Sequence, residues 1–296
     1  MPYQKTVYDN RAIADISRAA VDNIEGALDV GYHAVSVHNC TQHVMIYERL
    51  LLAQCAFWPF FEGRLNTVQD FGMNGYHMYV NTLDDLEAWD VPPEDIGVMR
   101  SYVFNGTDEY LIADDQDLFT VTATNEFTLG AWINLKVTAD NAILSKWDAT
   151  TDSELREWLF CTDNTGYLSM IIYDETNNAE IGREYQTALP TSIWQHVVAT
   201  YDGGTDAANI KVYLNGVQVD DANIADDVGF ASMVNTATDV RCGSYEGADG
   251  EETYPFDGKM WGPFFTLTEL SAVEVWRLYQ LGKAALNLDL IAGMPD

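Results

Sequence analysis

The residues of this chain that could do chemistry are carboxylates, histidines and exposed aromatic rings. Two carboxylates facing one bond can run acid–base hydrolysis. The stretch "ELREW" places Glu154 and Glu157 three apart, with no acid between them. "EGADGEE" is denser in acids but too rich in glycine for a strand. His196 lies in "SIWQHVVATYDGG", where alternation sets Gln195, Val197 and Ala199 on one face and His196, Val198 and Thr200 on the other. No serine or cysteine motif accompanies it, so His196 reads as a framework residue and not as a base. His33, His38 and His43 recur every five residues. On a helix that spacing rotates each by about 140°, so the three do not converge on a metal. No catalytic residue is assigned, and the chain reads as non-enzymatic.

Binding chemistry is better represented. A pyranose ring is recognised by aromatic faces beside polar groups, and Trp147, Tyr173, Tyr185, Tyr245 and Tyr254 fall in or near expected loops. They form the candidate glycan platform. Calcium takes six to eight oxygens, which "DDQD" at 114–117 and "DDANIADD" at 220–227 could supply in part. The 296 residues carry 15 Lys+Arg against 46 Asp+Glu, a net charge of −31. Such a surface repels phosphate, which argues against nucleic acid and anionic lipid as partners. Membrane insertion is not expected either: the apolar run "LLLAQCAFWPFF" is short and contains Pro59. "MPYQKTVYDNRAIAD" lacks the apolar core of a secretory signal. The expected location is a virion surface after synthesis in a host cytoplasm, with a cytoplasmic or non-classically exported protein as the alternative. Cys40, Cys55, Cys161 and Cys242 make no CxxC pair and read as buried free thiols.

Two grammars position these residues. Residues 10–62 predict mostly helix. "NRAIADISRAAVDNIEGALD" spaces Ile13, Ile16, Ala20, Ile24 and Leu28 near helical periodicity, with Asp9 or Asn10 as cap and Gly31 as the break. "VMIYERLLLAQCAFW" predicts a second helix bounded by Pro59 and Gly63. Phe57, Trp58, Phe60 and Phe61 are more aromatic surface than a helical pair can hide. Either they dock onto the rest of the chain or they are contacts with other subunits of an assembly. Residues 63–100 read as a connector, and Pro92-Pro93 marks a boundary. The expected domains are 1–96, a helical anchor with its connector, and 97–296.

From about 101 the chain turns to short strands separated by Asn-Gly, Asp-Asn-Thr-Gly and Asp-Gly-Gly, residues that tight turns need. In "IKVYLNGVQV", Ile210, Val212 and Leu214 share one face. Many such strands predict a β-sandwich. "SAVEVWRLYQLG" predicts one late helix, with Ser271 and Glu274 as a capping box and Gly282 as its end.

These residues resemble a known family. "YVFNGTDEYLIADD", "FTLGAWINL", "WQHVVATYDG" followed by "KVYLNG", and "YPFDGKMWGPFFTLTELSAVEVWRLYQLG" appear in the order found in laminin-G-like, concanavalin-A-like jelly rolls. The resemblance covers residues ~101–282 and implies that Trp132 packs inside. It implies calcium between the opening and closing strands, for which Asp108 and Asp257 are the matching candidates. The closing strand of the family often reads Phe-x-Gly-x-Ile-Asp-Glu-Val. Here it reads "FDGKMWGPFFTL", with Trp261 and Gly262 where the acidic pair would stand. Glycosidases on this scaffold draw their acids from a strand reading Glu-x-Asp-x-x-Glu, which this chain lacks.

The expected fold is therefore mainly β, an antiparallel sandwich of the concanavalin-A-like type preceded by a mostly helical N-terminal region. The expected function is a virion decoration or attachment protein that assembles with itself or other structural subunits and displays the jelly roll. A soluble lectin for cell-surface glycan, calcium-dependent or not, is the alternative. An atypical glycoside hydrolase or lyase is the third reading.

Overall fold

Alternation and turn chemistry explain most of the architecture. The structure is a computed structural model; it describes residues 55–60, 66–72, 74–81, 89–90, 101–119, 121–122, 125–151 and 154–285. Among these, the strands are β1 (Cys55–Phe57), β2 (Thr67–Val68), β3 (Met78–Val80), β4 (Trp89–Asp90), β5 (Ser101–Asn105), β6 (Leu111–Ala113), β7 (Phe127–Leu135), β8 (Asn141–Asp148), β9 (Leu155–Thr162) and β10 (Leu168–Asp174). They continue with β11 (Ala179–Tyr185), β12 (Gln195–Tyr201), β13 (Ile210–Leu214), β14 (Val217–Gln218), β15 (Ala222–Asp226), β16 (Val240–Cys242), β17 (Tyr245–Glu246), β18 (Glu252–Thr253) and β19 (Asp257–Thr266). The α-helix among the described residues is α1 (Ala272–Ala285).

The strands form two sheets. One runs β14-β13-β12-β7-β19-β5-β4, with β1 added beside β19. The other runs β15-β11-β10-β9-β8-β16-β6-β3-β2, with β17 beside β8. Apart from the β17–β8 contact, the pairings are antiparallel. The core lies between them. β7 gives Leu129, Ala131 and Ile133, β12 gives Val197, Ala199 and Tyr201, and β10 gives Leu168, Met170 and Ile172, every second residue in each case. Phe265 stacks between Phe127 and Trp158, with both centroid distances 5.4 Å. The β13–β14 hairpin turns on Asn215 and Gly216, both at positive φ, and the Asn215 side chain accepts the His196 N–H at 2.9 Å, tying this turn to β12.

The chain departs from the sequence expectation before residue 97. The helical N-terminal region is not supported. Residues 1–54 lie outside the described residues, and Cys55–Phe57, the end of the second expected helix, is a strand paired with β19. β2 and β3 extend the other sheet through β6. Strands on both sides of residue 97 therefore share both sheets. Phe57, Trp58 and Phe60 are buried in this chain's own core. Trp58 Nε1 donates to the Tyr76 carbonyl at 2.7 Å, and its ring stacks near Phe119 at 6.0 Å. As assembly contacts these three are corrected: the docking alternative accounts for them, because a side chain filling its own core has no surface left to offer. Phe61 lies outside the residues whose side chains are described.

The outer face of the β12–β7–β19 sheet is covered by α1. Ser271 and Glu274 form the expected capping box, with the Ser271 N–H donating to Glu274 Oε2 at 2.9 Å. Gly282 does not end the helix, which runs on to Ala285. A Cβ at Gly282 would stand 2.0 Å from Trp132 Nε1, so the glycine is the notch on which the indole lies. Trp132 is thus buried, but in a cluster with Trp194 and Trp261 under Tyr279 and outside the main core. His196 shares this layer, 5.2 Å from Trp132 and 6.2 Å from Tyr279 between ring centroids.

Candidate functional site

The outer face of the other sheet carries the candidate site. On β10 the inward residues are Leu168, Met170 and Ile172, so Tyr173 points outward. Trp147 on β8 and Leu159 and Cys161 on β9 join it in a cluster separate from the main core. Tyr245 and Tyr254, from the β17–β18 hairpin and its exit, pack against the same cluster. Trp147 meets Tyr173 edge-on at 5.7 Å and 78°. Tyr245 lies 6.5 Å from Trp147 and 5.1 Å from Tyr254.

Charged groups surround these rings. The Arg156 guanidinium sits 3.7 Å above the Tyr173 ring and 6.0 Å from Trp147. Glu175 holds it through Nε at 2.6 Å and Nη2 at 3.2 Å, a bidentate clamp. Tyr173 Oη donates to Asn178 Oδ1 at 2.6 Å. Asp140 interacts with Tyr254, and its carboxyl is held above the usual range by burial and then by Asp163. Tyr254 adopts φ +54°, a left-handed conformation that costs a non-glycine residue energy and occurs often at ligand sites. Trp147 and Tyr173 are buried and form the base, and half-buried Tyr245 and Tyr254 form the accessible part of an aromatic surface edged by one guanidinium and several carboxylates. Such a surface can stack against the C–H face of a sugar and hydrogen-bond its hydroxyls.

Four of the five expected platform residues are therefore brought together. Tyr185 is not among them. It lies on β11 in phase with Ala179 and Ile181 and packs against the main core. A further recess went unread in the sequence: Gly75, Tyr76, His77, Tyr79, Ala113, Asp114 and Gln116 line a shallow opening of about 80 Å³. His77 Nδ1 accepts the Asp70 N–H at 3.0 Å, which fixes the ring. Asp70 in turn accepts from Phe57, Gly72 and Tyr76. The aromatic density of "YHMY" at 76–79 was the available signal.

Asp108 and Asp257 stand at the same end of the sandwich, since Asp257 faces Asn105 across β5–β19. Each is engaged within the chain. Asn105 Nδ2 donates to Asp108 Oδ1 at 2.8 Å, and Lys136 Nζ lies 3.0 Å from Asp257 Oδ1. No group of three or more His, Cys, Asp or Glu side chains among the described residues could hold a metal ion. Cys55, Cys161 and Cys242 are free and buried, and burial pushes all three thiols up; Cys40 lies outside the described residues. Burial pushes His196 down to about 3. Glu157 is sealed in the interior beside Lys146 and does not face a substrate with Glu154. No helix of the described residues is long and apolar enough to cross a membrane.

A family model described as the concanavalin A-like lectin/glucanases superfamily matches residues 105–271, more than half of the chain. The chain belongs to this superfamily. A search of the curated proteins found no match. Solved structures show the same lectin-like jelly roll at low identity. The binding domain of Paraclostridial Mosquitocidal Protein 1 is 14% identical with a TM-score of 0.54, over 78% of this chain and 52% of that one. The binding domain of botulinum neurotoxin serotype G is 15% identical with a TM-score of 0.53, over 78% and 51%. The ligand-binding domain of botulinum neurotoxin serotype D, in complex with N-acetylneuraminic acid, is 14% identical with a TM-score of 0.53, over 79% and 52%. The chain thus spans about half the length of the structures it matches. These likenesses are of fold. They place this superfamily member beside proteins described as binding domains.

Proposed function

We propose that this member of the superfamily is a non-enzymatic glycan-binding module. The observation that carries the reading is the outer-face cluster of Trp147, Tyr173, Tyr245 and Tyr254 with Arg156 clamped over it. Aromatic faces supply apolar contact for the sugar ring, and the arginine and carboxylates supply orientation. The acidic edge and the net charge of −31 oppose a sialylated or sulfated ligand and favour a neutral one. The test is a glycan array followed by titration of the best neutral ligand. Binding should fall at least about tenfold, the loss of one good contact, in Tyr254→Ala and in Arg156→Ala. Running each titration with and without chelator tests calcium at Asp108 and Asp257. A protein that binds no glycan on the array under either condition ends the lectin reading.

A second reading concerns the setting. Val217, Val273 and Trp276 are 60%, 58% and 50% exposed. β14 lies against α1 here, since a Cβ at Gly216 would come 3.0 Å from the Trp276 Cα. This apolar strip supports display on an assembly, as in a virus particle, through α1 in place of the aromatic residues at 57–60. Light scattering on the full chain should show an oligomer that Trp276→Glu dissociates. A monomer at every concentration removes self-assembly from the proposal.

A further inference from the structure

A cluster of Lys146, Glu157 and Asp115, the first two fully buried and the third partly exposed, is used by neither reading. Lys146 on β8 and Glu157 on β9 have fully buried side chains. Lys146 Nζ donates to Glu157 Oε1 at 2.5 Å and to the Thr236 carbonyl at 2.9 Å. A third contact differs in kind. Asp115 Oδ1 lies 3.1 Å from Nζ, yet this buried oxygen has no hydrogen-bond partner among the described residues. The amine is in contact with the carboxyl group without donor–acceptor alignment. That is the placing of a nucleophile beside a carbonyl. Glu157 Oε2 is likewise buried and unpartnered, while Oε1 is fixed by the Thr236 N–H and Oγ1, each at 2.8 Å.

The loop that presents Asp115 is anchored. Its own N–H donates to Asp239 Oδ1 at 3.0 Å, and the turn that follows buries Leu118 and Phe119. The Asp115 side chain is 31% exposed, so a small product can leave on that side.

We propose that Lys146 and Asp115 condense into an intramolecular isopeptide bond, with Glu157 carrying the protons. The Nζ–Cγ bond forms and one Cγ–O bond of Asp115 breaks. From ammonium and carboxylate, two protons leave nitrogen and depart with the oxygen as one water. Glu157 receives each proton and passes it on, ending as it began. No oxidant, reductant or co-reactant is needed.

In dilute solution this condensation is slow. Here the groups are held at contact, and positioned reactants reach effective concentrations of about 10⁵–10⁸ M. The starting state also holds the Lys146 ammonium out of water, which is unfavourable; the amide removes that charge and the Asp115 charge with it. Burial raises the Glu157 carboxyl against the pull of Lys146, which suits a group that must take up and release a proton. The product would tie the loop after β6 to β8 and restrict the unfolded chain as a disulfide does.

The experiment is intact-mass spectrometry of the purified full chain, with peptide mapping. The wild-type protein should be lighter than its sequence by one water. Digestion should yield a branched peptide joining Asp115 to Lys146. Asp115→Ala, Lys146→Ala and Glu157→Gln should each show their full sequence mass. The wild-type measurement decides the matter even if a variant fails to fold. A full-mass wild type overturns the proposal, and so does a lost water that maps elsewhere, for example to an Asp-Gly step.

Discussion

Acid should destabilise this protein partly through one histidine. His196 is buried beneath α1, against Trp132 and Tyr279. Among the described residues its Nδ1 has no partner, and no carboxylate stabilises a charged ring. Burial therefore lowers it to about 3, against roughly 6.5 in the unfolded chain. Between those values the unfolded state holds a proton that the folded state refuses. Stability is fully present above pH ~6.5 and falls as pH drops toward ~3, by about 1.4 kcal/mol per pH unit. Over the whole window the term reaches about 4–5 kcal/mol, a large part of a domain's stability. His196→Gln removes the titration and keeps the volume. Urea unfolding at pH 7.5 gives the packing cost of the substitution. At pH 4.5 the balance should have moved in the variant's favour by about 2–3 kcal/mol. Carboxylates contribute equally to both proteins and cancel. Parallel stability curves for the two proteins across this range would show that His196 does not titrate as its burial demands.

That histidine was legible as framework because local signals agreed around it. Alternation set Val197 and Ala199 into the core and His196 away from it, and Asn215-Gly216 marked the β13–β14 turn whose asparagine holds the His196 N–H. The capping box at Ser271 was equally local. What failed was decided by distant partners. Cys55–Phe57 sits at the end of a long apolar run, and periodicity cannot separate a buried helix from a buried strand there. Its identity is set by pairing with Phe264–Thr266, near the other end of the chain. Gly282 carried a sound stop signal, but the Trp132 indole needs the notch and the helix continues around it.

The candidate site shows the same division. Tyr173 faces out because Ile172 faces in, and Tyr185 faces in because Ile181 does. Strand phase, which the sequence contains, separates the two. The recess at Tyr76, His77 and Tyr79 needs Asp114 and Gln116, which reach it through the β3–β6 pairing. Neither segment announces the other. Glu157 is the extra residue of β9 where the register passes from Lys146 opposite Trp158 to Trp147 opposite Arg156. A bulge changes the phase of the strand that carries it, so strict alternation could not place Glu157 beside Lys146 between outward Arg156 and inward Trp158.

Lys146 should carry the largest stability effect of any exchange in the second sheet. In protein whose intact mass shows Lys146 uncondensed, Lys146→Met keeps much of the volume and apolar stem but leaves the Glu157 carboxylate buried beside Thr236 with no cation. Removing one partner of a buried pair costs about 3–5 kcal/mol, most of it the penalty on the charge left behind. If that is the cause, the loss must shrink when the stranded charge is removed. Lys146→Met combined with Glu157→Gln does so, and the glutamine carbonyl still accepts from the Thr236 N–H and Oγ1. The double variant should recover most of the stability. The single variant should regain part of its loss as pH falls, because Glu157 can then enter the fold protonated. Denaturant unfolding of the three proteins at two pH values is the measurement. A double variant no more stable than Lys146→Met would assign the loss to packing around the lysine stem, and the buried carboxylate would then be no burden to the fold.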